Sequence, residues 1–86
     1  MPTRPSQVDP RRLESWARHR KAVGQRIRTL RVEQGLTQEA LALESGVTRN
    51  VLIQVEHGRR GLLYERLFDI AEVLRVDAAE LLTPER

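Results

Sequence analysis

Between Leu36 and Gly58 the chain is punctuated by Thr37, Gly46, Thr48 and Gly58. That pattern leaves room for two short helices joined by a tight turn. Thr37 can cap the first helix, because its hydroxyl oxygen accepts from a free amide of the first turn. Glu39 lies in that turn, where negative charge suits the helix dipole. Gly46 falls where the first helix must stop and the chain must bend, a place that often demands a positive φ. Thr48 offers a second N-cap, and Gly58 closes the second helix as its C′ residue.

The side chains sort by face. At about 100° per residue, Thr48, Val51, Leu52 and Val55 share one side of the second helix. Asn50, Ile53, Gln54 and His57 share the other, with Arg49 at the boundary. Leu41 and the small Ala42 supply the facing surface of the first helix. The second helix can therefore pack through one face and leave a polar face free. An αα-hairpin of any small helical protein fits this spacing. So does a helix-turn-helix whose second helix enters the DNA major groove.

The residue types favour the second reading. Arg26, Leu30, Arg31, Gly35-Leu36-Thr37-Gln38, Leu41-Ala42, Gly46-Val47-Thr48, Val55-Glu56-x-Gly58, Ile70-Ala71, Leu74 and Val76 resemble the Xre family. Lambda-type repressors and Cro proteins belong to that family. The resemblance covers about residues 22–82 and rests on the ordered set rather than on any one match. It implies an all-α, five-helix, lambda-repressor-like DNA-binding domain, here with an N-terminal helical extension over 10–21. It also implies a homodimer on two half-sites of double-stranded DNA.

Charge agrees with a polyanionic partner. Residues 1–35 carry nine Lys/Arg against three Asp/Glu, residues 36–60 three against three, and residues 61–86 three against six. A basic front and an acidic back suit a protein that turns one side to DNA, although solvated helix faces also give such a distribution. The 86 residues amount to one domain, 10–86, preceded by a mobile arm over 1–9 in which Arg4 is the only charge before Asp9. Thr83-Pro84-Glu85-Arg86 is expected to end the chain before a second domain can begin. There is no cysteine, which suits a reducing cytoplasm and removes any disulfide or thiolate site. No apolar run approaches the ~20 residues of a membrane span, and the N-terminus is not a signal peptide. His19 and His57 have no metal-ligand spacing with acidic partners. No cofactor, metal or enzyme activity is expected, for want of a glycine-rich phosphate loop or a histidine–carboxylate cluster.

Upstream, Asp9-Pro10 reads as a helix start with proline at N1. Leu13, Trp16, Arg20, Val23, Ile27 and Leu30 then recur at spacings of 3 and 4. One helix over 10–34 fits, and so do two helices meeting near Gly24. Trp16 covers the edge of the core or packs on a second subunit. Of the basic residues Arg11, Arg12, Arg18, Arg20, Lys21, Arg26 and Arg28, which do not share one face, only some can face DNA.

The readout candidates follow from the motif. Arg49 can donate twice to guanine O6 and N7, and Asn50 or Gln54 can pair with adenine N6 and N7. Val51 and Ile53 can touch thymine methyls. Gln38, Thr48, Arg59 and Arg60 are candidates for phosphate contact; Arg59 and Arg60 can also enter a narrow minor groove. The resemblance further implies that Arg31 and Glu56 form a structural ion pair. Many relatives carry Pro-Ser where this chain has Leu62-Leu63, so the usual cap of the next helix is missing. Leu62, Leu63 and Tyr64 either form a partner surface or fold back over Trp16. Asp77 can cap a last helix running from Ala78 to Leu82, with Glu80 at N3. The resemblance makes Leu81 and Leu82, with Arg75, a dimer contact.

The expected function is sequence-specific transcriptional regulation in the cytoplasm, on the nucleoid, most simply as a repressor. A DNA-binding antitoxin holding a toxin partner, or a restriction–modification controller, uses the same chemistry. A protein-interaction module without DNA binding would have lost Arg49, Asn50, Gln54, Arg59 and Arg60, and this chain keeps them.

Overall fold

The computed structural model describes residues 8–83. The arm expected over 1–9 and the terminal Pro84-Glu85-Arg86 fall wholly or largely outside them. Five helices follow in order: α1 Pro10–Glu33, α2 Gln38–Ser45, α3 Arg49–Glu56, α4 Tyr64–Leu74 and α5 Ala78–Leu82. No helix among the described residues is long and apolar enough to cross a membrane.

Local chemistry sets most of the boundaries. Asp9 accepts from the Arg11 backbone amide at 2.8 Å, with Pro10 at the first helical position. That amide, then the Arg11 guanidinium, hold the Asp9 carboxyl below its usual value. Its contribution to helix start is thus complete above the ordinary carboxylate range and fades as pH falls through the lowered value. Thr37 accepts from Ala40 N at 3.0 Å and Thr48 from Val51 N at 3.2 Å, so both expected caps form. Gly46 ends α2 at φ 77°. Gly58, at φ 72°, closes α3 in a Schellman arrangement, with Arg59 N on Gln54 O and Gly58 N on Val55 O.

α1 is one helix of 24 residues, not two. Gly24 is buried mid-helix because α3 crosses there: a Cβ at that position would lie 2.0 Å from the Val55 carbonyl oxygen. α1 packs on α3 and α5, α2 packs on α3 and α4, and α5 closes onto α4. The core is formed by Ile27, Leu30, Leu41, Ala42, Val47, Leu52, Val55, Leu67, Ile70, Ala71, Leu74 and Leu81.

Leu81 corrects an expectation. The resemblance places it at a dimer contact, but it is fully buried against α1 and α4. Leu81 is the one fully buried side chain of the five-residue α5, with Ala78 partly buried against the core, and Leu82 is left exposed. Asp77 occupies the N-cap position with extended backbone, but its side chain makes no capping bond. Leu62 is half-buried and packs toward the core near Arg20 and Val23, while Leu63 and Tyr64 stay exposed. Leu62 thus folds back toward α1, but Trp16 remains 44% exposed and Leu13 49%. Tyr64 meets Phe68 edge-on at 6.5 Å.

Leu63 stands at the N-cap of α4 and offers no side-chain acceptor. Its backbone, at φ −60° and ψ 144°, already has the geometry that a capping serine needs. Leu63→Ser should therefore stabilise the chain by about 1 kcal/mol. Thermal unfolding should show a rise of about 4–8 °C; a fall would mean that the exposed leucine makes contacts worth more than a cap.

Candidate nucleic-acid interface

α3 presents its outward face as the pattern requires. Leu52, Val55 and Glu56 are buried, and Arg49 and Asn50 are exposed. Ile53 and Gln54 are half-exposed. No hydrogen bond among the described residues uses the side chain of Arg49, Asn50 or Gln54, so all their donors and acceptors are free. Val51 sits at the edge of this face and packs against the core, with only part of its surface left over. Thr48 is exposed, and its oxygen caps α3 while its proton stays available.

The base of α3 is fixed by a buried ion pair. Arg31 Nε donates to Glu56 Oε2 at 2.7 Å, and its Nη2 donates to Oε1 at 3.0 Å. The third arm of the fork, Nη1, donates to the Leu36 carbonyl at 2.8 Å. The Glu56 side chain is 1% exposed and that of Arg31 11%. The pair implied by the resemblance therefore exists, in bidentate form.

Gln38 departs from expectation. Its Nε2 donates to Glu56 Oε1 at 3.1 Å. One of its two amide protons thus completes the ion pair, and only the other is available to a phosphate. The partner is 18 residues away, which is why no local pattern announces it.

The structure also brings α1 to this site. Lys21, Gln25 and Arg28 lie at spacings of 4 and 3 along one side of α1. They line a cleft of about 780 Å³ with Thr37, Gln38 and Glu39 at the start of α2, with Arg49 of α3 and with His57 at its C-cap. The Arg31–Glu56 pair forms its floor. Lys21, Arg28 and Arg49 carry no ion pair among the described residues, against one open carboxylate, Glu39. The His57 Nδ1 lies 2.9 Å from the Ile53 carbonyl, which can only accept, so Nδ1 carries the proton and Nε2 is free. Lys21 and Arg28 are among the seven basic residues of which the sequence lets only some face DNA, without singling them out, and Gln25 carries no signal there. Their common face becomes legible only once α1 is known to run unbroken through Gly24.

Other cations point elsewhere. Arg26 Nε donates to the Glu80 carbonyl at 3.3 Å and so serves the α1–α5 contact. Arg20 lies beside Gly61 and Leu62, its Nε buried without a partner among the described residues. Arg59 and Arg60 are exposed in the loop after α3, and Arg60 reaches the notch beside Thr48 and Val51. Among the described residues no group of three His, Asp or Glu is placed to hold a metal ion.

Comparison with known proteins gives a consistent set. The helix-turn-helix family HTH_3 matches residues 27–81. An uncharacterised HTH-type transcriptional regulator of Sinorhizobium fredii, y4dJ, is 42% identical over 65 residues, 76% of this chain and 84% of that protein. Among solved structures, the restriction-modification controller protein C.AhdI of Aeromonas hydrophila superposes with a TM-score of 0.70. It is 37% identical, over 72% of this chain and 94% of that one. The clp gene regulator ClgR of Corynebacterium glutamicum gives 0.71 at 32% identity, over 73% and 67% of the two chains.

Proposed function

The chain belongs to the HTH_3 helix-turn-helix family of DNA-binding transcriptional regulators, and on that premise we propose that it represses transcription as a homodimer on an inverted-repeat operator. Two copies of α3, about 34 Å apart, enter successive major grooves on one side of the duplex. Arg49, Asn50 and Gln54 read base edges, with Ile53 and the exposed part of Val51 against thymine methyls. Thr48, the remaining Gln38 proton, Arg59 and Arg60 hold phosphates and fix the register. A dimer seated over a promoter excludes polymerase, in the cytoplasm and on the nucleoid. The observation that carries this reading is the outward face of α3, where Arg49, Asn50 and Gln54 are exposed or half-exposed and make no side-chain hydrogen bond among the described residues. The likeness to C.AhdI favours a controller of a restriction–modification locus as the setting.

Selection of bound sequences from random duplex DNA at about 150 mM salt tests the proposal, because nonspecific binding weakens steeply at that ionic strength. An enriched inverted repeat with half-sites about one turn apart is the expected result. Recovery of no motif would overturn sequence-specific action. Arg49→Ala should then relax preference at one base position by about 1–3 kcal/mol. Unchanged preference across the selected site would remove Arg49 from the readout.

A further inference from the structure

The cleft between α1 and α3 has a lining that suits one class of ligand. Lys21 and Arg28 face it from α1 and Arg49 from the first position of α3, with Gln25 between the two α1 cations. Its floor is already neutralised, because the Glu56 carboxylate is held by Arg31 and Gln38. The cations on its walls are therefore not consumed inside the protein. Its lining contains no aliphatic side chain and no ring other than the His57 imidazole. A free nucleotide would find the His57 imidazole as the one aromatic ring on which to stack its base. A strand of phosphodiester backbone needs only the charges and hydrogen-bond donors that are present.

We propose that Lys21, Gln25 and Arg28 make α1 a third element of the DNA interface, holding the phosphate backbone in the cleft while α3 occupies the adjoining major groove. The inference rests on the DNA-binding reading above and adds residues to it. Lys21 and Gln25 precede the segment matched by the family, which begins at residue 27. Gly58 secures the arrangement: a Cβ there would lie 2.8 Å from the Lys21 Cα, so the C-terminal end of α3 sits directly against this part of α1. The distance between the α1 cations and the outward face of α3 is thereby set by backbone contact.

The test is the salt dependence of binding to a duplex of about 30 base pairs and unrelated sequence, measured by fluorescence anisotropy from 50 to 200 mM salt, since phosphate contacts are sequence-independent. Lys21→Ala with Arg28→Ala should make the slope of log K against log salt shallower by about 1.8 for each bound protomer. Both side chains are exposed, so thermal unfolding should stay near that of the parent chain. Lys21→Arg with Arg28→Lys keeps the charges and should restore the slope. Arg59→Ala with Arg60→Ala is the parallel measurement on the loop after α3. If that variant flattens the slope while the α1 variant leaves it unchanged, the α1 proposal is overturned and the DNA-binding reading stands. Failure of the charge-keeping variant to restore the slope also overturns the proposal. Absence of salt-dependent binding by the parent chain would overturn both.

Discussion

Gly24→Ala is expected to lower the stability of this chain by about 3 kcal/mol, at the upper end of the usual cost of overpacking. In an exposed helix interior the same change would be favourable by about 1 kcal/mol, because alanine is the better helix former. Here the added methyl would lie 2.0 Å from the Val55 carbonyl oxygen and 3.1 Å from that of Glu56. Both atoms belong to the last turn of α3, so neither can rotate away as a side chain would. Relief requires α3 to move bodily off α1, which opens the contacts of Val55 and Ile27 in the core. Urea unfolding should report the loss, and the melting temperature should drop by about 12–24 °C at 4–8 °C per kcal/mol. A rise in stability would show that glycine is only a weak point in α1 and that the crossing has slack.

The second large effect is expected at Glu56. Glu56→Gln leaves the Arg31 guanidinium buried without its counter-charge, and removal of one partner from such a pair costs about 3–5 kcal/mol. The amide keeps the shape of the carboxylate, so the loss reads out charge rather than volume. Replacing both partners, Arg31→Met with Glu56→Leu, should recover most of that loss, because two desolvated ions are exchanged for apolar groups. What the double variant should not recover is geometry. Arg31 and Glu56 tie α1, the Leu36 carbonyl, Gln38 at the start of α2 and the end of α3 into one hydrogen-bonded unit. DNA affinity should therefore remain reduced in the double variant even where stability returns. A double variant as unstable as Glu56→Gln would mean that packing, not charge, dominates the site.

The two effects explain what could be read from the sequence and what could not. Thr37, Gly46, Thr48 and Gly58 act on residues within a turn of themselves, so their roles were legible from position alone. The outward face of α3 was legible because eight helical residues bear a clear period. Gly24 was ambiguous, since a glycine that ends a helix and one that admits a neighbour look alike until the neighbour is known. The resemblance points to the end of the domain as a whole, and the five residues of α5 show too little periodicity to tell the buried Leu81 from the exposed Leu82. The second partner of Glu56 was invisible for a different reason. Gln38 is polar and lies at a helix start, which also describes a surface residue.

The free side chains on α3 have a consequence for how such a protein can change over generations. Arg49, Asn50 and Gln54 bond to nothing else in the described chain, whereas the elements that hold α3 in place, Gly24, Gly58, Arg31 and Glu56, tolerate little alteration. Under the proposed readout, preference for a target and integrity of the scaffold are thus written in separate sets of codons. Substitutions in the first set can accumulate with little thermodynamic penalty, since surface replacements away from such supports usually shift stability by no more than about 0.5 kcal/mol. With that readout, a duplicated gene could drift from one operator to another through intermediates that all remain folded.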